Sequence, residues 1–198
     1  MHINEQRIGI FLKCMKGQQP KSRFIYHFIK KITMSDKVNN TAAYWIKHFG
    51  MAPHPEGGYF KEIFRSKHKV LRSGENIERD ACTSIYYLLE SFDFSGFHRL
   101  KSDEMWYFHK GSPIFIHIIQ ENGAYDRIEL SDSEAGQLQA VVESGCWFAA
   151  EIPSKSDFTL VSCAVSPGFD FAEFEMANKS CMIKNYPQHI EIINKWCK

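Results

Sequence analysis

Between residues 58 and 165 the chain is cut into short apolar or alternating segments, each closed by a turn signal. This rhythm decides what the chain can fold into. The segments fall near 58–66, 82–89, 94–100, 103–110, 113–120, 125–131, 138–143, 146–152 and 157–165. Between them stand Ser73–Gly74, Lys110–Gly111–Ser112–Pro113, Asn122–Gly123, Ser144–Gly145 and Ser166–Pro167–Gly168. Runs of this length, rich in β-branched and aromatic residues, read as strands, and Asn-Gly is a strong hairpin signal. Helices of ten to fifteen residues do not alternate with them, which argues against a Rossmann or TIM layout. The expected architecture is all-β, a sandwich or closed barrel. Two helices flank it. Asn39–Asn40–Thr41 caps a helix over Ala42–Phe49, which Gly50 stops. Ile190, Ile193 and Trp196 give Pro187–Trp196 a helical apolar stripe.

Charge divides the chain in two. Residues 1–33 hold seven Lys or Arg and one acid, whereas the remainder holds 17 basic and 22 acidic residues, a net of −5. An acidic body argues against nucleic acid as a partner. The basic segment reads as an extension, with Met34 as the working start and 34–198 as a single domain. The six cysteines, Cys14, Cys82, Cys146, Cys163, Cys181 and Cys197, show no CxxC or zinc spacing. Several sit in apolar runs, as buried free thiols do. This implies a reducing, cytoplasmic setting. No apolar run is long enough to cross a membrane, and Ile8–Leu12 is too short for a signal peptide core.

Candidate chemistry gathers between Ser95 and Gly111. Alternation puts Glu104, Trp106 and Phe108 on one strand face. If 94–100 and 103–110 pair as a hairpin, His98 and Glu104 share a cavity. They would form a proton-transfer couple or a structural hydrogen-bonded pair. Trp106, Phe108, Trp147, Phe148 and Phe171 are candidate aromatic walls for a ring-shaped ligand. His117 has opposite parity to Ile114, Ile116 and Ile118, and is either a further cavity group or a satisfied core histidine. Upstream, Pro53 and Pro55 hold the chain extended, and Gly57 and Gly58 allow close backbone approach. Glu56, Tyr59 and Arg65 would then project from a lip that touches ligand or a second subunit.

The spacing His98, Leu100, Glu104, Gly111 resembles the first motif of the cupins. That motif has a second histidine where this chain has Leu100. The second cupin motif resembles 136–148, with Phe148 at its histidine position and Glu143 at a usual proline. A closer resemblance lies in Pro53–Phe60, Thr83–Tyr86, Phe97–Arg99, Ser102–Glu104, Gly145–Ala150 and Pro167–Phe171. In this order they resemble the cupin-5 family over roughly residues 40–196. The resemblance implies a double-stranded β-helix, the cupin jelly-roll barrel, assembled as a homodimer through sheet edges. It implies two of four metal ligands retained and two replaced by carbon, hence no metal or other cofactor. Three functions remain open. One is metal-independent binding of a small polar molecule, carbohydrate or nucleotide-sugar-like, with isomerase or epimerase chemistry by His98 and Glu104. The second is non-catalytic binding of a small molecule. The third is a metal-dependent dioxygenase or isomerase, which would need replacement ligands such as His117.

Overall fold

The computed structural model describes residues 41–72, 74 and 76–198. The expected extension over 1–33 and the start at Met34 lie outside the described residues. Two antiparallel sheets face one another. The first holds, in spatial order, β1 (Ala52–Pro53), β2 (Tyr59–Arg65), β5 (Thr83–Glu90), β12 (Phe158–Ser166), β7 (Asp103–Gly111) and β10 (Gln139–Val142). The second holds β13 (Phe174–Met176), β6 (Phe94–Leu100), β11 (Trp147–Glu151), β8 (Ile114–Ile119) and β9 (Tyr125–Leu130). A small ribbon joins β3 (Lys69–Leu71) to β4 (Glu78–Asp80). Sequence neighbours β5 and β6, and β6 and β7, lie in opposite sheets. The chain therefore winds around the barrel, as a jelly roll requires.

All nine strands read from the sequence are present. The four that escaped it, β1, β3, β4 and β13, are two or three residues long, too short to show a period. The Asn122–Gly123 signal forms the β8–β9 turn, where Gly123 takes φ +82° and its N–H donates to Gln120 O at 2.9 Å. Helix α1 (Ala42–Phe49) begins at Thr41, whose hydroxyl accepts from Tyr44 N, and ends at Gly50 with φ +60°. Helices α2 (Lys179–Asn185) and α3 (Ile190–Trp196) close the chain.

Inward-facing side chains fill the space between the sheets, led by Tyr87, Leu89, Trp106, Ile116, Phe148 and Val161. Burying side chains of this size stabilises the fold by roughly 1.5–3 kcal/mol each. The outer face of the second sheet carries Phe97, Ile119, Trp147 and Ala149, which α2 and α3 cover with Met182, Ile193 and Trp196. On the first sheet, α1 packs Trp45 and Phe49 against Leu88, Phe158 and Leu160. Packing thus uses most of the barrel interior and leaves one end open.

Candidate functional site

A cavity of about 350 Å³ opens at that end. Its inner wall is polar: His54, Glu56, His98, Glu104 and Cys163, with Tyr87 beside them. Ile85, Leu100 and Val165 supply carbon, and Phe60, Phe169, Phe171 and Phe174 surround the mouth.

Glu56 comes from the turn between β1 and β2. His54 N donates to Gly58 O and Gly57 N to His54 O, which closes the turn. Gly58 N donates to Asp93 Oδ2 at 2.6 Å, Tyr87 Oη to Gly57 O at 2.8 Å, and Gly96 N to Glu56 O at 2.8 Å. The turn needs φ +122° at Gly57 and +67° at Gly58, which glycine adopts without steric cost. These ties aim the Glu56 carboxyl at β6.

His98, 2% exposed, points inward from β6. Its Nδ1–H donates to Gly96 O at 2.8 Å, which fixes the tautomer and leaves Nε2 as an acceptor. Nε2 meets Glu56 Oε2 at 3.1 Å. Burial lowers the His98 pKa to about 4 and raises that of Glu56, against smaller opposing effects of His54, Ser95, Tyr87 and Lys198. Burial disfavours charge on both groups, so the neutral form of the pair, with one proton between the Glu56 carboxyl and the His98 ring, is favoured over the ion pair. The ring of Phe148 lies 4.0 Å from the His98 ring and backs it.

Glu104 enters from β7 on the facing sheet. Burial, then the charge of Glu56, pushes its carboxyl up to about 8, while Cys163 and Trp106 partly offset this. The Trp106 indole nitrogen steadies it electrostatically but falls short of hydrogen-bond geometry.

The structure thus places Glu56, Arg65, His98, Glu104 and Phe171 around one cavity. It corrects the hairpin assumption. β6 and β7 belong to different sheets, so Glu104 faces His98 across the barrel and the partner of His98 is Glu56. Arg65 stands at the rim, held by Glu62 at 2.7 Å and Asp80 at 2.8 Å. Six predicted ligand contacts lie elsewhere. Trp106 and Phe148 are packed in the core behind the polar wall, with Phe108 against the same core. Tyr59 packs in the cluster under α1. Trp147 faces outward, with the Arg99 guanidinium 4.5 Å from its ring. The parity that turns Ile116 and Ile118 inward turns His117 out. There its Nδ1 meets Tyr125 Oη at 2.9 Å and its ring stacks on Trp196. The cavity groups that escaped the sequence reading include His54, Tyr87, Phe169 and Phe174. Only His54 carried a signal, its place between Pro53 and Pro55.

The family model Cupin_5, described as Cupin superfamily (DUF985), matches residues 43–177. The chain belongs to this cupin family. A hypothetical protein from Leishmania major shares 36% identity with this cupin over 80% of its chain and 99% of the other, with TM-score 0.74. A protein from Shewanella oneidensis shares 34% over 80% and 98%, with TM-score 0.73. No curated protein matches the sequence. Many cupins hold a metal, but the donor set of this cupin does not fit one. Leu100 and Phe148 offer only carbon, Glu56 occupies the free nitrogen of His98, and no group of three or more His, Cys, Asp or Glu among the described residues converges as metal ligands would.

Proposed function

We propose that this cupin binds a small polar molecule, carbohydrate or nucleotide-sugar-like, in the open end of the barrel and acts on its protons without a metal, as an isomerase or epimerase would. The observation that carries this reading is the buried His98–Glu56 couple, 3.1 Å apart, at the inner wall of an accessible cavity. His98 Nε2 and the Glu56 carboxyl act as one proton-holding couple, which can exchange a proton with a ligand hydroxyl or carbonyl that reaches it and displaces their mutual hydrogen bond. Glu104 stands opposite as a second, protonated acid. A cavity of about 350 Å³ lies at the lower end of the ~300–1,000 Å³ typical of ligand sites. Phe171, 56% exposed, offers an apolar face at the mouth.

The test is a panel of monosaccharides and nucleotide sugars, screened by thermal shift and then incubated in heavy water while ligand C–H signals are followed by NMR. A binder should lose C–H intensity by deuterium exchange. His98→Ala and Glu56→Gln should abolish exchange while circular dichroism stays unchanged. Wild-type exchange in His98→Ala would sink the proton-transfer role. Binding without exchange would make the protein a non-catalytic binder.

We further propose that 34–198 is a complete folding unit and forms a homodimer. The family match begins at residue 43, and the edge strands β9 and β10 leave backbone groups to be covered. A chain spanning 34–198 should melt cooperatively and scatter light as twice its own mass. Loss of the melting transition, or a monomer mass across a dilution series, would refute each part in turn. The described cysteines are all free, which supports a reducing, cytoplasmic location. Recovery of a tagged chain from a secretory compartment would contradict that. No helix among the described residues is long and apolar enough to cross a membrane.

A further inference from the structure

We infer that the molecule this cavity accepts carries a small organic cation, an ammonium, seated between two carboxyls and inside a ring of aromatic side chains. The inference rests on the reading of the cavity as a ligand site and narrows its occupant, setting aside the nucleotide-sugar-like class, whose phosphates would face the carboxyls that line it. Glu56 is 6% and Glu104 7% exposed, and both line the same space. Among the described residues neither forms an ion pair with a lysine or arginine. Within ion-pair range Glu56 has His54 and His98, with Ser95, Tyr87 and the more distant Lys198 also acting on it, and Glu104 has no ion-pair partner among the described residues. Buried carboxyls without a cation are costly, and a site that retains two of them is built for a positive partner.

The walls agree. Phe60, Phe169, Phe171 and Phe174 line the cavity. Phe169 and Phe171 pack edge to face at 5.0 Å, and Phe174 lies 6.1 Å from each. Aromatic faces attract a cation through their quadrupole, most strongly where water is excluded. An anion finds no such partner. The lining cation, Arg65, is already held by Glu62 and Asp80, and Lys198 approaches Glu56 from behind Gly57. A metal ion finds no convergent donor set among the described residues.

The charges around the two carboxyls determine what binding does to protons. Facing them are His54 from the β1–β2 turn, Tyr87 from β5, His98 from β6 and Cys163 from β12. Glu62, Arg65 and Asp170 stand further out at the mouth. Burial raises both carboxyls, Glu104 to about 8, and so favours their protonated forms. An ammonium between them favours the ionised form, so its entry expels a proton to solvent.

Choline, its uncharged carbon isostere dimethylbutanol, the dimethylbutanoate anion and ethanolamine form a suitable probe set for calorimetry in two buffers of different ionisation enthalpy. At least one of the two cations should bind about tenfold tighter than dimethylbutanol, with net proton release at neutral pH and affinity rising toward about pH 8. Glu104→Gln should lower that affinity about tenfold and reduce the proton release, with cooperative melting confirming its fold. Equal binding of the isostere or the anion, cation binding without proton release, or no binding of either cation would overturn the inference. If neutral sugars bind while the cations do not, the cavity remains a ligand site and only the cationic occupant is wrong.

Discussion

Glu104→Gln should be the more stable protein in mild alkali. Folded Glu104 keeps its proton up to about pH 8, whereas an unfolded glutamate releases it near the ordinary 4.5. The folded state therefore binds more protons across that window, and stability falls as pH rises through it. Glu56, also raised by burial, acts in the same direction. His98 acts the other way. Its folded pKa of about 4 lies below the unfolded 6.5, so it adds stability as pH rises between those values. The slopes oppose one another below about pH 6.5, and only the carboxyls act above it. Stability should change little where the slopes of His98 and Glu104 oppose one another and should decline from about pH 6.5 toward pH 8.5. Glutamine keeps the shape of the protonated acid and cannot ionise. Between about pH 5 and pH 8.5 the variant should gain roughly 3–5 kcal/mol over the parent. Urea unfolding of both proteins at a series of pH values measures this. Two parallel stability curves would show that Glu104 does not titrate as described.

Gly57→Ala should cost about 3 kcal/mol or more. A Cβ built on Gly57 would lie 2.1 Å from Phe94 O and 2.8 Å from Lys198 Nζ, at a backbone φ of +122°. The lysine end can swing away, but the carbonyl of β6 cannot move without disturbing the sheet. The turn must shift instead. That shift breaks the Gly96 N to Glu56 O and Tyr87 Oη to Gly57 O bonds and withdraws the Glu56 carboxyl from His98. Denaturant unfolding should show the loss in stability. The His98 Nε2 resonance in nitrogen NMR should report the lost partner. A variant with parental stability and an unchanged His98 signal would remove Gly57 from this role.

The sequence disclosed the fold more readily than the site, for a physical reason. Strands such as 94–100 and 158–166 announce themselves by composition and by the turns that bound them, because both are local. β13, only three residues long, has no local signature and exists because it pairs with β6. The same distinction governs the cavity. Alternation correctly sent Glu104 inward, and motif spacing singled out His98. Their relation to each other depended on whether β6 turns back into its own sheet or crosses to the other, which no residue between them states. The pairing of His98 with Glu56 spans 42 positions and depends on the Gly57–Gly58 turn lying against β6. Trp106, Phe148 and Trp147 looked like ligand walls because aromatic residues serve cores and cavities equally. Which they serve is decided by depth, and depth is a property of the assembled barrel.

The crossing from β6 to β7 consists of Lys101 and Ser102 alone, and Arg72 Nη2 donates to Ser102 Oγ at 2.9 Å to hold it. The two walls of the cavity are thus tethered here by a spacer of two residues, as the 91–93 link between β5 and β6 tethers them at another point. Residues added to or removed from this spacer would change the gauge of the opening while each sheet keeps its own hydrogen bonds. This spacer is therefore one place at which the width of the opening can change while the chemistry carried on either side stays the same.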